Sequence, residues 1–174
     1  MQGKLQQTYR VNHELGRHGS FEGNIKLSSL DRLSSLVLND SENDAPAFIL
    51  VTFEFTQNEF KKAMIKGHIN ATLSVECQRC LEPLTHYFDD DFALLIDASD
   101  EEVKQYQFDT VYSEDGELNV YEVIEDELIL SLPIILMHEE TDCNAFWKSE
   151  AEEQTVSDKP NPFAVLSTLK GKTD

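Results

Sequence analysis

Residues 65–96, IKGHINATLSVECQRCLEPLTHYFDDDFALLI, carry the reading of the fold. In the first half Ile65, Ile69, Ala71, Leu73, Val75 and Cys77 are apolar or small, while Lys66, His68, Asn70, Thr72, Ser74 and Glu76 between them are polar. A period of two places alternate side chains on opposite faces of a strand, one buried and one wet. Gly67 interrupts the apolar set and marks the expected place of a bulge. Past CQRC, a weaker alternation continues through Leu84, His86, Phe88, Phe92, Leu94 and Ile96, broken by Asp89-Asp90-Asp91. The two halves read as an antiparallel pair joined by Cys77–Pro83. They imply an α+β fold built on an antiparallel sheet, with closure into a barrel left open.

Upstream, Leu30, Leu33 and Val37 share one face of a helix expected over 28–38, and Ser28 with Asp31 resembles a capping box. Residues 39–46 read as a loop and 47–55, AFILVTFEF, as a strand. Downstream, 97–117 is polar and acidic and reads as a loop or short helix. An acidic helix follows over 118–131, with Tyr121, Ile124 and Leu128 on one face and Glu122, Glu125 and Asp126 on another. Pro133 ends it. The chain then divides into a core domain over 1–147, an acidic linker over 148–160 and a C-terminal helix over 161–174. In the last, Asn161 suits an N-cap, Pro162 the first turn, and Phe163, Leu166 and Leu169 an apolar stripe. That stripe is expected to dock on the core domain; the alternative is that Asn161-Pro162-Phe163 docks on a partner.

The chain has 174 residues, 14 Lys/Arg against 33 Asp/Glu, and a net charge of −19. The charge is lopsided: residues 1–80 hold 9 basic and 9 acidic side chains, residues 81–174 hold 5 and 24. Such a surface repels phosphate backbones and suits a basic partner, or simply keeps a protein soluble. No apolar leader and no membrane-length run is visible, so a cytoplasmic protein with reduced cysteines is expected. Phosphate-binding glycine loops and GxSxG nucleophile turns are absent from the sequence. HELGRH resembles a zinc-protease motif, but His13 and His18 are five apart and diverge on a helix.

Cys77 and Cys80 have three readings. A redox pair belongs at a strand-to-helix junction, and here a strand follows instead. A zinc site needs four ligands, and His138 and Cys143 would complete a Cys3His set with Cys77 and Cys80. A metal-free turn with small thiols is the third reading.

Four stretches together resemble the bacterial YceD family of large-subunit ribosomal RNA accumulation proteins: Cys77-Gln78-Arg79-Cys80-Leu81, EDELILSLP over 125–133, His138 with Cys143, and NPFAVL over 161–166 running into Lys170. The likeness runs from about residue 60 to the end. It implies a cytoplasmic role in synthesis, processing or stability of 23S ribosomal RNA. In the family that the chain resembles, the genes typically lie beside that of a small basic large-subunit ribosomal protein. Some relatives carry further cysteines after the proline matching Pro133, so this chain's site is a reduced version or a lost one. No reaction is established for the family, so no catalytic residue carries over and the protein is read as a non-enzyme.

Two mechanisms follow. As an assembly chaperone, the protein would bind a basic large-subunit ribosomal protein, or a pre-50S particle, through Glu122, Glu125 and Asp126. As an RNA binder, it would contact 23S ribosomal RNA or its precursor through a patch of Lys61, Lys62, Lys66 and Arg79. A metal-dependent RNA-processing enzyme is a third, weaker reading, because no acidic set stands out.

Overall fold

A computed structural model describes residues 5–38, 48–139 and 143. Met1–His138 form one compact unit and Glu139–Asp174 a second. The expected loop over 39–46, the linker over 148–160 and the helix with Asn161, Pro162 and Phe163 lie outside the described residues, except for position 143 in the stretch before the linker.

In the first unit the order is β1 (Thr8–Arg10), α1 (Val11–Arg17), β2 (Ser20–Lys26), a 3-10 turn (Leu27–Ser29), α2 (Asp31–Leu36), β3 (Phe48–Gln57), β4 (Ala63–Glu76), β5 (Pro83–Ile96), α3 (Asp100–Tyr106), β6 (Asp109–Val111), β7 (Glu117–Asn119) and α4 (Val120–Ser131). The main sheet runs β2-β3-β4-β5-β6, with β1 and β7 forming a separate ribbon. Strands β2 to β5 form an antiparallel meander, and β6 adds in parallel to β5. The fold is α+β, and its main sheet is open, with β2 and β6 at the edges, so it does not close into a barrel.

The alternation in β4 is realised: Ile65, Ile69, Ala71, Leu73, Val75 and Cys77 are all buried. Strand β5 continues through the three aspartates without a break, in register with β4 from Met64↔Leu95 to Glu76↔Pro83. On the inner face α1, α2 and α4 cover one core that includes Ile25, Leu33, Phe55, Phe88, Ile124 and Leu128. Tyr9, Phe21, Phe53 and Phe55 pack as an aromatic group, with Phe21 stacked on Phe53 at 5.2 Å. On the outer face α3 covers only one end, over Met64, Leu95 and Ala98.

Gly67 forms no bulge, because the register passes straight through it, opposite Phe53 on β3 and Phe92 on β5. Its requirement is space: a Cβ there would lie 2.8 Å from Phe53 Cβ and Phe92 Cε1, and closer still to the Thr52 carbonyl oxygen. Backbone in a central strand cannot retreat. Gly67→Ala is therefore expected to cost about 2–3 kcal/mol through overpacking, read as a lower urea midpoint; an unchanged midpoint would disprove the crowding.

The capping box over Ser28 and Asp31 is also not formed. Leu27–Ser29 make the 3-10 turn, α2 begins only at Asp31, and no local side chain caps it. The cap comes instead from α4. Glu125 is buried, and its Oε1 accepts from the backbone N–H groups of Arg32 at 2.7 Å and Leu33 at 3.0 Å, while Oε2 accepts from Arg32 Nε at 2.9 Å. The first-turn amides of α2 thus find a carboxylate from another helix. Glu125 was expected on a wet acidic face and is a structural residue. Its neighbour Asp126 pairs with Arg32 Nη1 at 2.7 Å, and Glu122 stays exposed, accepting from Asn119 Nδ2.

Candidate metal centre

Strand β4 ends at Glu76 and β5 begins at Pro83, so the hairpin connection holds both cysteines. Cys77 N–H donates to the Glu82 carbonyl oxygen at 3.0 Å, and Leu81 N–H donates back to the Cys77 carbonyl oxygen at 2.8 Å. Leu81 takes a φ of 64°, the left-handed conformation that lets the chain reverse after the second cysteine. Burial pushes the Cys77 thiol up, but backbone N–H groups of Cys80, Arg79 and His138 and the Cys80 thiol outweigh it, and the thiol is held down at about 5. Hydrogen bonds to the charged form favour it. The site is built to hold a thiolate, the form that binds metal.

The segment after α4 is tied to this turn. Gln78 N–H donates to the Leu136 carbonyl oxygen at 2.8 Å, Gln78 Nε2 to the Ile134 carbonyl oxygen at 3.2 Å, and Arg79 Nη2 to the His138 carbonyl oxygen at 3.0 Å. These bonds bring His138 to the cysteines across 58 residues of sequence, with Nδ1 at 3.4 Å from Cys80 Sγ. Nε2 lies 3.2 Å from the Pro83 carbonyl oxygen. A carbonyl only accepts, so Nε2 donates to it, and Nδ1 is the nitrogen that faces the sulfur and would serve as the ligand in the neutral ring. Metal-binding histidines are fixed in this way by a backbone carbonyl on the remote nitrogen. The ligand atoms of Cys77, Cys80, His138 and Cys143 all lie within 4.8 Å of one another. A Cys3His group of this size could hold a metal ion.

Arg79 does not gather with the three lysines. Lys62 pairs with Glu102 of α3, and Lys66 pairs with Glu54 at 2.9 Å. Arg79 belongs to the far end of the hairpin, separated from Lys66 by roughly 30 Å of strand at ~3.3 Å per residue. Lys61 sits in the opposite turn, between β3 and β4. The zinc-protease resemblance also dissolves: His18 caps α1, and Glu14 is buried against Arg17 at 2.6 Å and His13 at 2.9 Å.

Sequence reading missed the anchors around the cysteines, because Gln78, Arg79 and the Pro83 carbonyl act on a segment far away in the chain. The pairing of Cys77 and Cys80 with His138 rested on residue type and spacing.

A family model described as large ribosomal RNA subunit accumulation protein YceD matches residues 65–170. A relative from Haemophilus influenzae that bears the same description is 32% identical over 167 residues, covering 90% of each chain. The chain belongs to the YceD family. The YceD match takes in the whole β4–β5 hairpin beyond Met64, α4, and all four candidate ligands. No solved structure matches this YceD chain. Among its described residues no helix is long and apolar enough to cross a membrane.

Proposed function

We propose that this protein is a non-catalytic, cytoplasmic factor in large-subunit biogenesis. It supports accumulation of 23S ribosomal RNA by binding a basic ribosomal protein or a pre-50S particle that contains one. Family membership supports the ribosomal role, since the matching relative is named for accumulation of the large ribosomal RNA subunit. The choice of a protein partner rests on one observation: 24 of the 33 acidic residues fall in 81–174, while Arg79 lies at the far end of the hairpin from the three lysines, and Lys62 and Lys66 are held by Glu102 and Glu54. Cys77, Cys80, His138 and Cys143 would hold a structural zinc, closing a tetrahedral set with no open position for chemistry. The stretch over 161–174, expected from its sequence to be helical, would supply either an intramolecular clasp or, through Asn161, Pro162 and Phe163, a further contact to the partner.

The test is retention of proteins extracted from purified large subunits on the immobilised protein, with and without ribonuclease, across a salt series. A small basic protein held after ribonuclease and released as salt rises is expected, because charge attraction between surfaces is screened within about 10 Å at 0.1 M salt. Partners that vanish with ribonuclease would overturn the reading and make RNA the primary ligand.

A further inference from the structure

Among the described residues the long hairpin leaves one edge without a strand partner along most of its length. Strand β5 pairs with β4 from Pro83 to Leu95, but on its other side β6 covers only Leu94–Ile96. From Pro83 to Phe92 no described strand pairs with that outer edge. Along it Thr85, Tyr87, Asp89, Asp90 and Asp91 are exposed, with Tyr87 73% exposed. Half of the backbone N–H and C=O groups of an edge strand point outward with no ladder partner. Natural proteins manage such an edge with charge. Here the excess is negative: Asp89 and Asp91 flank His68 on the outer sheet face, each 2.9 Å from a ring nitrogen, and outnumber it, while Asp90 falls on the opposite face, where no described ion pair involves it. Two copies meeting edge to edge would bring six aspartates together and repel. A lysine- or arginine-rich strand would meet complementary charge on both faces, and Tyr87 offers it an aromatic surface.

The geometry points to the outer edge of β5, residues 84–92, as a strand-addition site for an extended basic segment of a protein partner. This rests on the reading above that the partner is a basic protein. Main-chain ladder bonds would supply affinity, and Asp89, Asp90 and Asp91 would select for positive side chains and against a second copy of this chain.

The test uses the full chain and a short labelled peptide of alternating threonine and lysine. Its control is the same peptide N-methylated at alternate residues, which keeps the charge and removes the ladder donors. Binding with slowed amide exchange confined to residues 84–92 is expected, and the methylated peptide should bind about tenfold more weakly or worse. Asp89→Asn, Asp90→Asn and Asp91→Asn together should weaken the unmethylated peptide by a similar factor. Equal affinity for the methylated peptide, or protection elsewhere, would overturn the site, as would dimers of the wild-type chain formed through this edge. Capture of large-subunit proteins by the same wild-type and triple-variant chains separates the two readings. If the wild type retains no basic protein, the partner reading fails. If wild type and variant retain it equally, the edge fails and the partner reading stands.

Discussion

Cys77→Ser is expected to strip the protein of zinc. Purified without chelator, the wild type should carry about one zinc per chain, as a closed four-ligand site requires, and the variant should retain less than about a tenth of that. The expectation is this steep because Cys77 is the buried ligand of the four and is already held as a thiolate by backbone N–H groups. Serine offers no comparable soft anion. The domain itself should survive, since its core lies under α1, α2 and α4. What should loosen is the segment pinned by Gln78 and Arg79: amide exchange at residues 134–138 should rise in Cys77→Ser and in wild type treated with chelator. Cobalt substitution provides a second readout through thiolate-to-metal absorption, lost in the same variant. Wild-type protein that contains no zinc and takes up none when zinc is added would remove the metal from this account and leave a hydrogen-bonded thiol turn.

Glu125→Ala is expected to lower stability by about 3 kcal/mol, because it orphans two first-turn amides of α2 and breaks a charge-assisted bond to Arg32. Arg32 is 54% exposed and can turn to water, which places the loss at the low end for a broken buried pair. Asp126→Ala is the control. It removes the other carboxylate on the same guanidinium, but that carboxylate is also 54% exposed, so a loss of less than about 1 kcal/mol is expected. Urea unfolding of both variants reads the difference directly. Equal losses would show that the guanidinium pairing matters and the helix cap does not. The result also bears on function: charge reversal at Glu125 would damage the fold, so partner contact by the acidic helix is to be tested at Glu122.

The comparison of sequence with structure turns on range. The alternation of β4, the burial of Leu30, Leu33 and Val37, and the end of α4 before Pro133 were all legible, because each depends on neighbours along the chain. Glu125 was not, because its partners lie 93 and 92 residues away and an acid in an acid-rich helix looks like any other. Ser28 and Asp31 were misread for the matching reason: a distant carboxylate did what a local cap would have done. Grouping Arg79 with the lysines failed on scale, since nearness in sequence along an extended strand is distance in space. The short strands β6 and β7 were missed because three residues carry no period. The four candidate ligands were named from residue type and spacing, but the hydrogen bonds that bring His138 to the cysteines had no signature in the sequence.

The ribbon of β1 with β7 sets an order of events during synthesis. Arg10 meets Glu117 across 107 residues, and Thr8 pairs with Asn119. The meander from β2 to β5 can assemble strand by strand as each emerges, but β1 must wait for β7, roughly 5–20 s at ordinary elongation rates. Until then Tyr9 and Val11, both buried in the finished core, have a tether but no clasp. The first strand of the unit is thus paired only once β7 has been made, and α4, whose Glu125 caps α2, follows later still.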